Sequence, residues 1–195
     1  MMNINRRFIA VALGWLVAMS SSIASPIVSI GPPVTSISAG SSIDVTVDIS
    51  GVADLYAFQF NLSFDPAVIS AIGVDEGLFL QGGGSTFFIL GAIDNSLGTV
   101  SFTANSLIGA VSGVSGDGTL AMIHLLAAGA GTSSLSLSGV SLLDSSLSDI
   151  TFTTASGLVE VTGAVPEPAS IVLVVVGTVA LASMQGAVRR RRRAR

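Results

Sequence analysis

The sequence predicts an all-β fold, a single antiparallel β-sandwich, and two stretches of strict alternation carry that prediction. In residues 43–49 every odd-numbered residue is apolar, and in residues 56–64 every even-numbered residue is apolar. A period of two places one face of a strand in the core and the other in water. Turn-forming residues interrupt the middle of the chain at short intervals, with no convincing helical stripe between them.

Further strands are predicted wherever a short apolar run lies between turn residues. The second alternating strand ends at Asp65-Pro66, because proline fixes φ and has no N–H to donate. The other turn signals are glycine clusters at 82–84, 116–118 and 129–131, and the Asp94-Asn95 pair. The predicted strands are residues 43–49, 56–64, 68–74, 87–93, 99–104, 120–127, 134–138 and 158–162.

Charge is distributed very unevenly along the 195 residues. The net charge is −4, and all eight basic residues are arginines, at positions 6, 7, 189–193 and 195. Residues 8–188 therefore hold all twelve acids and no lysine or arginine. Nucleic acid is excluded as a partner of this stretch, because phosphate binding needs clustered basic residues. The chain also has no cysteine, which removes disulfides and thiol chemistry.

The first 24 residues have the three parts of a secretory signal peptide. Arg6 and Arg7 form the positively charged N-terminal region, and residues 8–19 are apolar and uncharged. Small residues precede a cleavage site between Ala24 and Ser25. The apolar run is too short to span a bilayer of about 30 Å. Cleavage after Ala24 is the expected outcome, with an uncleaved anchor as the alternative.

The last 32 residues, 164–195, predict a membrane-directed tail. A proline-containing motif precedes 18 uncharged residues, 171–188, and an arginine cluster follows them. At about 1.5 Å per residue these 18 residues form a helix of about 27 Å, sufficient to cross a bilayer. The arginines stay on the cytoplasmic side, which places the rest of the chain outside. The motif is Val165, Pro166, Glu167 and Pro168, and the cluster is Arg189, Arg190, Arg191, Arg192, Arg193 and Arg195.

This tail resembles a PEP-CTERM sorting signal of Gram-negative bacteria, from Val165 to Arg195. The resemblance implies an exported precursor held in the inner membrane by a single helix. It further implies processing by an exosortase near the proline motif and delivery to the cell surface or the extracellular matrix. The alternative is a permanent single-pass anchor.

Between the two ends, residues 25–163 have the size of one domain. Residues 45–74 are similar to the opening strands of cohesin domains, and 118–123 and 157–161 resemble later cohesin strands. The resemblance implies a nine-stranded sandwich with jelly-roll topology, which certain carbohydrate-binding modules share. It also implies binding of dockerins, calcium-dependent helical partners, through one sheet face.

No catalytic constellation emerges from the sequence, and a non-enzymatic protein is predicted. The single histidine, His124, lies among apolar residues whose parity points it inward or to a sheet border, as a hydrogen-bonded structural residue. No cofactor is predicted, although calcium is possible, because hard cations bind oxygen ligands from loops. The weak candidate ligands are Asp75, Glu76, Asp94 and Asp117, and no contiguous calcium loop exists.

The predicted function is a recognition module at the cell surface or in the matrix, binding a protein partner through a sandwich face. The alternative is a polysaccharide-binding module of the extracellular matrix. Carbohydrate-binding surfaces stack sugar rings on exposed Trp or Tyr side chains. Residues 25–163 contain no Trp and one Tyr, Tyr56, whose parity places it in the core. Of the adjacent pair Phe87 and Phe88, one is expected to be core and the other exposed.

Overall fold

The structure is a computed structural model that describes residues 25–163. The predicted signal peptide 1–24, its cleavage site, and the segment 164–195 with its sorting motif, helix and arginine cluster lie outside the described residues. Among residues 25–163, no helix combines the length and the apolar character needed to cross a membrane.

Within these residues, eleven β-strands and one short helix follow one another along the chain. The helix interrupts the strand pattern directly after β4, where Phe79 and Leu80 are buried. The elements are β1 Ile27–Gly31, β2 Val34–Ser38, β3 Ser42–Ser63, β4 Ile69–Glu76, α1 Leu78–Gln81, β5 Thr86–Ile89, β6 Ala92–Asp94, β7 Thr99–Leu107, β8 Val114–Ala127, β9 Gly131–Asp144, β10 Thr153–Ala155 and β11 Gly157–Thr162.

The strands form two layers that share the long strand β3. In the first layer the order is β10, β1, the first half of β3, β8 and β4. In the second layer β5 and β6 lie beside β7, followed by the second half of β3, then β9, β11 and β2. The predicted sandwich is therefore present, with β3 running from one layer into the other.

Two edges of the sandwich differ from the prediction of an entirely antiparallel fold. β1 pairs with β10 in parallel, with Ile27 beside Thr153, and β2 pairs with β11 in parallel, with Val34 beside Leu158. A parallel neighbour requires a long connection, and here almost the whole domain provides it. The prediction was wrong at these edges because short terminal strands carry no signal for the direction of their distant partners.

Both alternating stretches place their apolar residues in the core, as predicted. The first half of β3 contributes aliphatic side chains to it, and the second half contributes mainly aromatic ones. The rings of Phe58 and Phe60 lie 6.1 Å apart on the same side of β3. The buried residues of the two halves are Val45, Val47, Ile49, Phe58, Phe60 and Leu62.

A β-bulge in β8 reverses the alternation that the sequence suggested for this strand. The pairing of β8 with β3 skips Leu120, and Leu120 and Ala121 are both buried. From there on the buried residues are odd-numbered, Ile123 and Leu125 among them. The prediction that His124 points inward or to a sheet border was therefore wrong. His124 lies on the outer face between two strands, because an inserted residue shifts every later side chain to the opposite face.

Replacement of Phe60 by alanine tests the contribution of the core. The side chain is 1% exposed, so the change removes buried contacts and leaves a cavity, and we expect a loss of about 3–5 kcal/mol in the free energy of unfolding. Urea denaturation measures this loss. Leu97→Ala is the control, because Leu97 is 71% exposed and its truncation should change stability by less than about 0.5 kcal/mol. Equal effects of the two changes would contradict this description of the core.

Candidate functional site

Four neighbouring strands of the second layer, β5, β7, β3 and β9, present two rows of uncharged side chains to solvent. Because Phe58 and Phe60 point inward, Ala57 and Gln59 between them point outward. The strand register aligns their neighbours in two rows across the sheet. The first row is Phe87, Ser106, Ala57 and Leu143, and the second is Ile89, Ala104, Gln59 and Ser141; we call these eight residues the uncharged face.

The centre of the uncharged face is a shallow groove of about 240 Å³. The groove exists because the two middle strands carry small side chains there, such as Ala57 and Ser106, whereas the strands on either side carry Phe87 and Leu143. Phe87 is 62% exposed. Its neighbour Phe88 packs against the core, which confirms the expectation that one residue of the pair is core and the other exposed.

A double irregularity lies at the end of the uncharged face, around Asn61. The pairing of β3 shifts on both sides of this residue, against β7 between Phe60 and Leu62 and against β9 between Gln59 and Asn61. The Asn61 side chain accepts a hydrogen bond from the Phe102 N–H, with Oδ1 and N 2.7 Å apart. Phe102 has a φ of +59° and is 53% exposed. The surface next to the face thus gains a second exposed aromatic ring.

Sequence reasoning missed Phe102. In residues 99–104 the apolar residues Val100 and Phe102 share one parity, which favours the same side of the strand for both. The structure instead buries Val100 and Thr103 and exposes Phe102, because the bulge opposite Asn61 shifts the alternation. A β-bulge leaves no composition signal that the sequence could have shown.

The outer surface of the first layer is charged, in contrast to the uncharged face. His124 lies there on β8 between β3 and β4. Its Nδ1 is 2.7 Å from Asp44 Oδ1, and its Nε2 is 2.9 Å from Asp75 Oδ2. Ionised carboxylates only accept hydrogen bonds, so both bonds together require the doubly protonated imidazolium. The hydrogen-bonded state expected for His124 is present, but on the surface.

Each of the four weak candidate calcium ligands makes hydrogen bonds to its own partners in the protein. Asp75 binds His124, and Asp117 Oδ1 accepts the Gly51 N–H at 2.6 Å. Asp94 closes its own turn, where the hydrogen bond from the Ser96 hydroxyl, followed by that from the Leu97 N–H, lowers its pKa. Within residues 25–163 no group of three His, Cys, Asp or Glu side chains is arranged to hold a metal ion.

The fourth candidate, Glu76, links the two layers. Its Oε1 accepts hydrogen bonds from the Thr86 hydroxyl and from Asn105 Nδ2, at 2.5 and 2.8 Å. Glu76 also lines a second groove of about 550 Å³ together with Asp117. Both donors belong to the second layer, so the hydrogen bonds of this carboxylate join β4 to β5 and β7.

Tyr56, the tyrosine considered for sugar binding, packs partly against the core. Its hydroxyl donates a hydrogen bond to the Gly109 carbonyl over 2.7 Å. It lies outside the uncharged face. The two exposed rings on this side of the sandwich are phenylalanines, which lack the polar edge of Tyr and Trp.

The two-layer topology and the uncharged face define a β-sandwich module, and its sequence identifies the family. The chain belongs to the cohesin domain family, whose model matches residues 28–161. This agrees with the resemblance found in the strands. No curated protein matches the chain.

Solved structures of cohesins share the fold at low sequence identity. A type II cohesin domain from the cellulosome of Acetivibrio cellulolyticus is 16% identical, with a TM-score of 0.60 over 69% of this chain and 95% of its own. A non-cellulosomal cohesin from the archaeon Archaeoglobus fulgidus is 18% identical, with a TM-score of 0.55 over 71% and 92%.

A third similar structure contains a bound partner. The sixth cohesin of scaffoldin B from Acetivibrio cellulolyticus, in complex with a Cel5 dockerin, is 20% identical to this chain. Its TM-score is 0.58, over 71% of this chain and 99% of the cohesin.

His124 makes the stability of the domain depend on pH in a defined direction. The hydrogen bond to Asp44, followed by that to Asp75, raises the pKa of His124 above its ordinary value of 6.5. The stabilisation is therefore complete below pH 6.5 and is lost as pH rises through the raised pKa. We expect the free energy of unfolding, measured with urea between pH 5.5 and 9, to fall over that window.

His124→Gln is the matched control for this prediction. The chain has one histidine, no cysteine and no lysine, so no other side chain of the domain has an ordinary pKa within this window. The variant should be less stable than the parent at pH 5.5 and lack the decline above pH 6.5. The same pH profile in both proteins would show that the Asp44–His124–Asp75 bridge does not contribute.

Proposed function

We propose that this protein is a non-catalytic recognition module, exported to the cell surface or extracellular matrix, that binds a protein partner through the uncharged face. The support is the cohesin family assignment together with a solvent-facing surface that combines Phe87, Ile89 and Leu143 with hydroxyl and amide groups. Similar cohesins have been solved as complexes with dockerins. A helical, dockerin-like protein is the kind of partner that this similarity favours.

The physical chemistry of the uncharged face suits binding to a protein. Protein interfaces have an apolar, charge-depleted centre with polar groups around it. Phe87 is 62% exposed, so a partner that covers it gains hydrophobic burial. Gln59 and Ser141 in the second row provide hydrogen-bonding groups that fix orientation. Desolvation of this face removes no charge from water, which makes it easier to bury than the acidic outer surface of the first layer.

Phe87→Ser is the variant that tests the uncharged face. The purified full-length chain is immobilised and exposed to the secreted proteins of its source organism, and a retained protein is identified by mass spectrometry. Loss of the exposed aromatic residue that flanks the groove should weaken the affinity of this protein by about 10-fold or more. The thermal unfolding midpoint should hardly change, because the ring is largely in solvent.

Leu97→Ser provides the control for Phe87→Ser. Leu97 is similarly exposed but lies in the turn between β6 and β7, outside the groove, so affinity should be retained. Purified exopolysaccharide is tested in parallel, and each binding assay is run with calcium and with a chelator. Retention of glycan alone, with no protein, would replace the proposal by the polysaccharide-binding alternative.

We also propose that residues 164–195 act as an exosortase-type sorting signal. The support is the order of three features in the sequence, the motif Val165–Pro168, the apolar run 171–188 and the arginine cluster from Arg189. In this proposal the tail is removed near the motif, and the body carries the recognition function outside the cell. The signal peptide 1–24 brings the chain to the membrane.

Mass spectrometry of the exported chain tests the sorting proposal. We expect a C-terminus near Pro168 in the extracellular fraction, whereas an intact Arg195 there would contradict processing. Replacement of Arg189–Arg193 by serine should impair membrane retention or processing, because the cluster orients the helix. The thermal unfolding midpoint of the body should stay the same, and this serves as the control that folding is separate from sorting.

A further inference from the structure

Phe102 combines an unfavourable backbone conformation with an exposed aromatic ring. It lies within β7, where residues adopt extended backbone, yet its φ is +59°, in the left-handed region that bulky side chains rarely adopt. Its ring is also 53% exposed. The chain therefore accepts backbone strain at a position where the side chain gains little burial in return.

The surrounding residues hold this conformation from three sides. Asn61 Oδ1 accepts the Phe102 N–H at 2.7 Å, and the next residue, Thr103, is fully buried with its hydroxyl donating to the Leu90 carbonyl over 3.2 Å. Gly139 leaves room for the Asn61 side chain, since a Cβ at Gly139 would come within 2.6 Å of Asn61 Nδ2. Strain that neighbouring groups maintain in this way is a feature of functional sites.

The other two non-glycine residues with positive φ among residues 25–163 have local explanations. Leu147 lies in the tight turn that Asp144 closes by accepting the N–H groups of Ser146 and Ser148. Asp54 accepts hydrogen bonds from the Gly113 N–H and the Ser145 hydroxyl. Turns and capping carboxylates commonly use this conformation. Phe102 differs from both because it is an aromatic residue at a bulge position that usually takes glycine.

We propose that Phe102 is an anchor residue for the protein partner, held in a strained bulge so that its ring extends the uncharged face by a third row. This inference rests on the proposed function and adds the residue that determines specificity. In the third row Asn61 follows Gln59 along β3, and Phe102 lies beside it on β7, as the hydrogen bond from the Phe102 N–H to Asn61 Oδ1 shows. Phe87 and Phe102 then provide two exposed aromatic side chains on one side of the sandwich.

The charge distribution defines the chemistry of the partner. The third row, like the first two, has no charged side chain, whereas the outer surface of the first layer carries Asp44, Asp48 and Asp75. A matching surface is therefore apolar and uncharged at its centre, with a pocket for the Phe102 ring. The nearest carboxylate along the first row is that of Asp149, which pairs with Leu143 at the edge of the face and is exposed.

The first test is the stability of the full-length chain with Phe102→Gly. Glycine adopts positive φ without strain, so we expect the thermal unfolding midpoint to rise by about 2–4 °C. Leu147→Gly relieves the same strain in a turn and should raise it similarly. A lower midpoint for Phe102→Gly would show that the ring supports the fold and would overturn the anchor role, whether or not a partner is found.

The second test uses the secreted protein retained by the full-length chain as the probe. Phe102→Gly should weaken its binding at least 10-fold, and Leu147→Gly should leave it unchanged. A benzoyl-phenylalanine photo-crosslinker at position 102 should label an apolar peptide of that protein, and one at position 147 should not. Retention of full affinity by Phe102→Gly, with no crosslink at position 102, would overturn the anchor and leave the proposed function standing.

Asn61→Asp tests the chemistry of the partner. The substitution keeps an oxygen for the Phe102 N–H but places a negative charge on the third row, so an uncharged partner surface should bind it at least 10-fold more weakly. Tighter binding would show a cationic partner surface and would overturn that part of the proposal. Retention of no secreted protein by the parent chain would overturn the proposed function and the anchor together.

Discussion

Burial of the apolar faces of the two layers is the constraint on which the rest of this domain depends. No lysine, arginine or cysteine occurs between residues 8 and 188, so neither lysine or arginine salt bridges nor disulfides contribute to the described fold. The charged pairs there are those of His124 with Asp44 and Asp75, and they lie at the surface, where such pairs contribute little. Stability therefore comes from packing and from the backbone hydrogen bonds of the sheets.

This dependence on the core also determines the functional surface. In a strand, neighbouring side chains point to opposite faces, so burial of Phe58 and Phe60 places Ala57 and Gln59 on the uncharged face.

The β-bulges change this alternation locally. At Leu120 an extra residue turns His124 to the outside, and opposite Asn61 the bulge buries Thr103 and exposes the Phe102 ring. Core packing and irregular pairing together specify which residues a partner meets.

Strands with strict alternation were predictable from the sequence, because residues 43–49 and 56–64 encode both their conformation and their buried face. Exposure of one residue of the pair Phe87 and Phe88 was also within reach, since adjacent residues of a regular strand face opposite sides. Assembly of the uncharged face was not predictable, because it depends on the register between strands that are far apart in the sequence. Ala57, for example, pairs with Ser106 and Leu143, which are 49 and 86 residues away. The direction of β10 and β11 and the position of the bulges arise from the same tertiary pairing.

The acidic residues of the domain affect which proteins can approach it. Eleven of the twelve acids lie in residues 25–163, and their mutual repulsion keeps copies of the domain apart. The eight residues of the uncharged face add nothing to this repulsion, and the acids that lie more than about 8 Å from it are largely screened at physiological salt. Phe87 and Phe102 are exposed on a part of the described surface whose central side chains are uncharged, with Asp149 beside Leu143 at its edge. In the proposed complex, selection of a partner relies on shape and on apolar contact with these two rings.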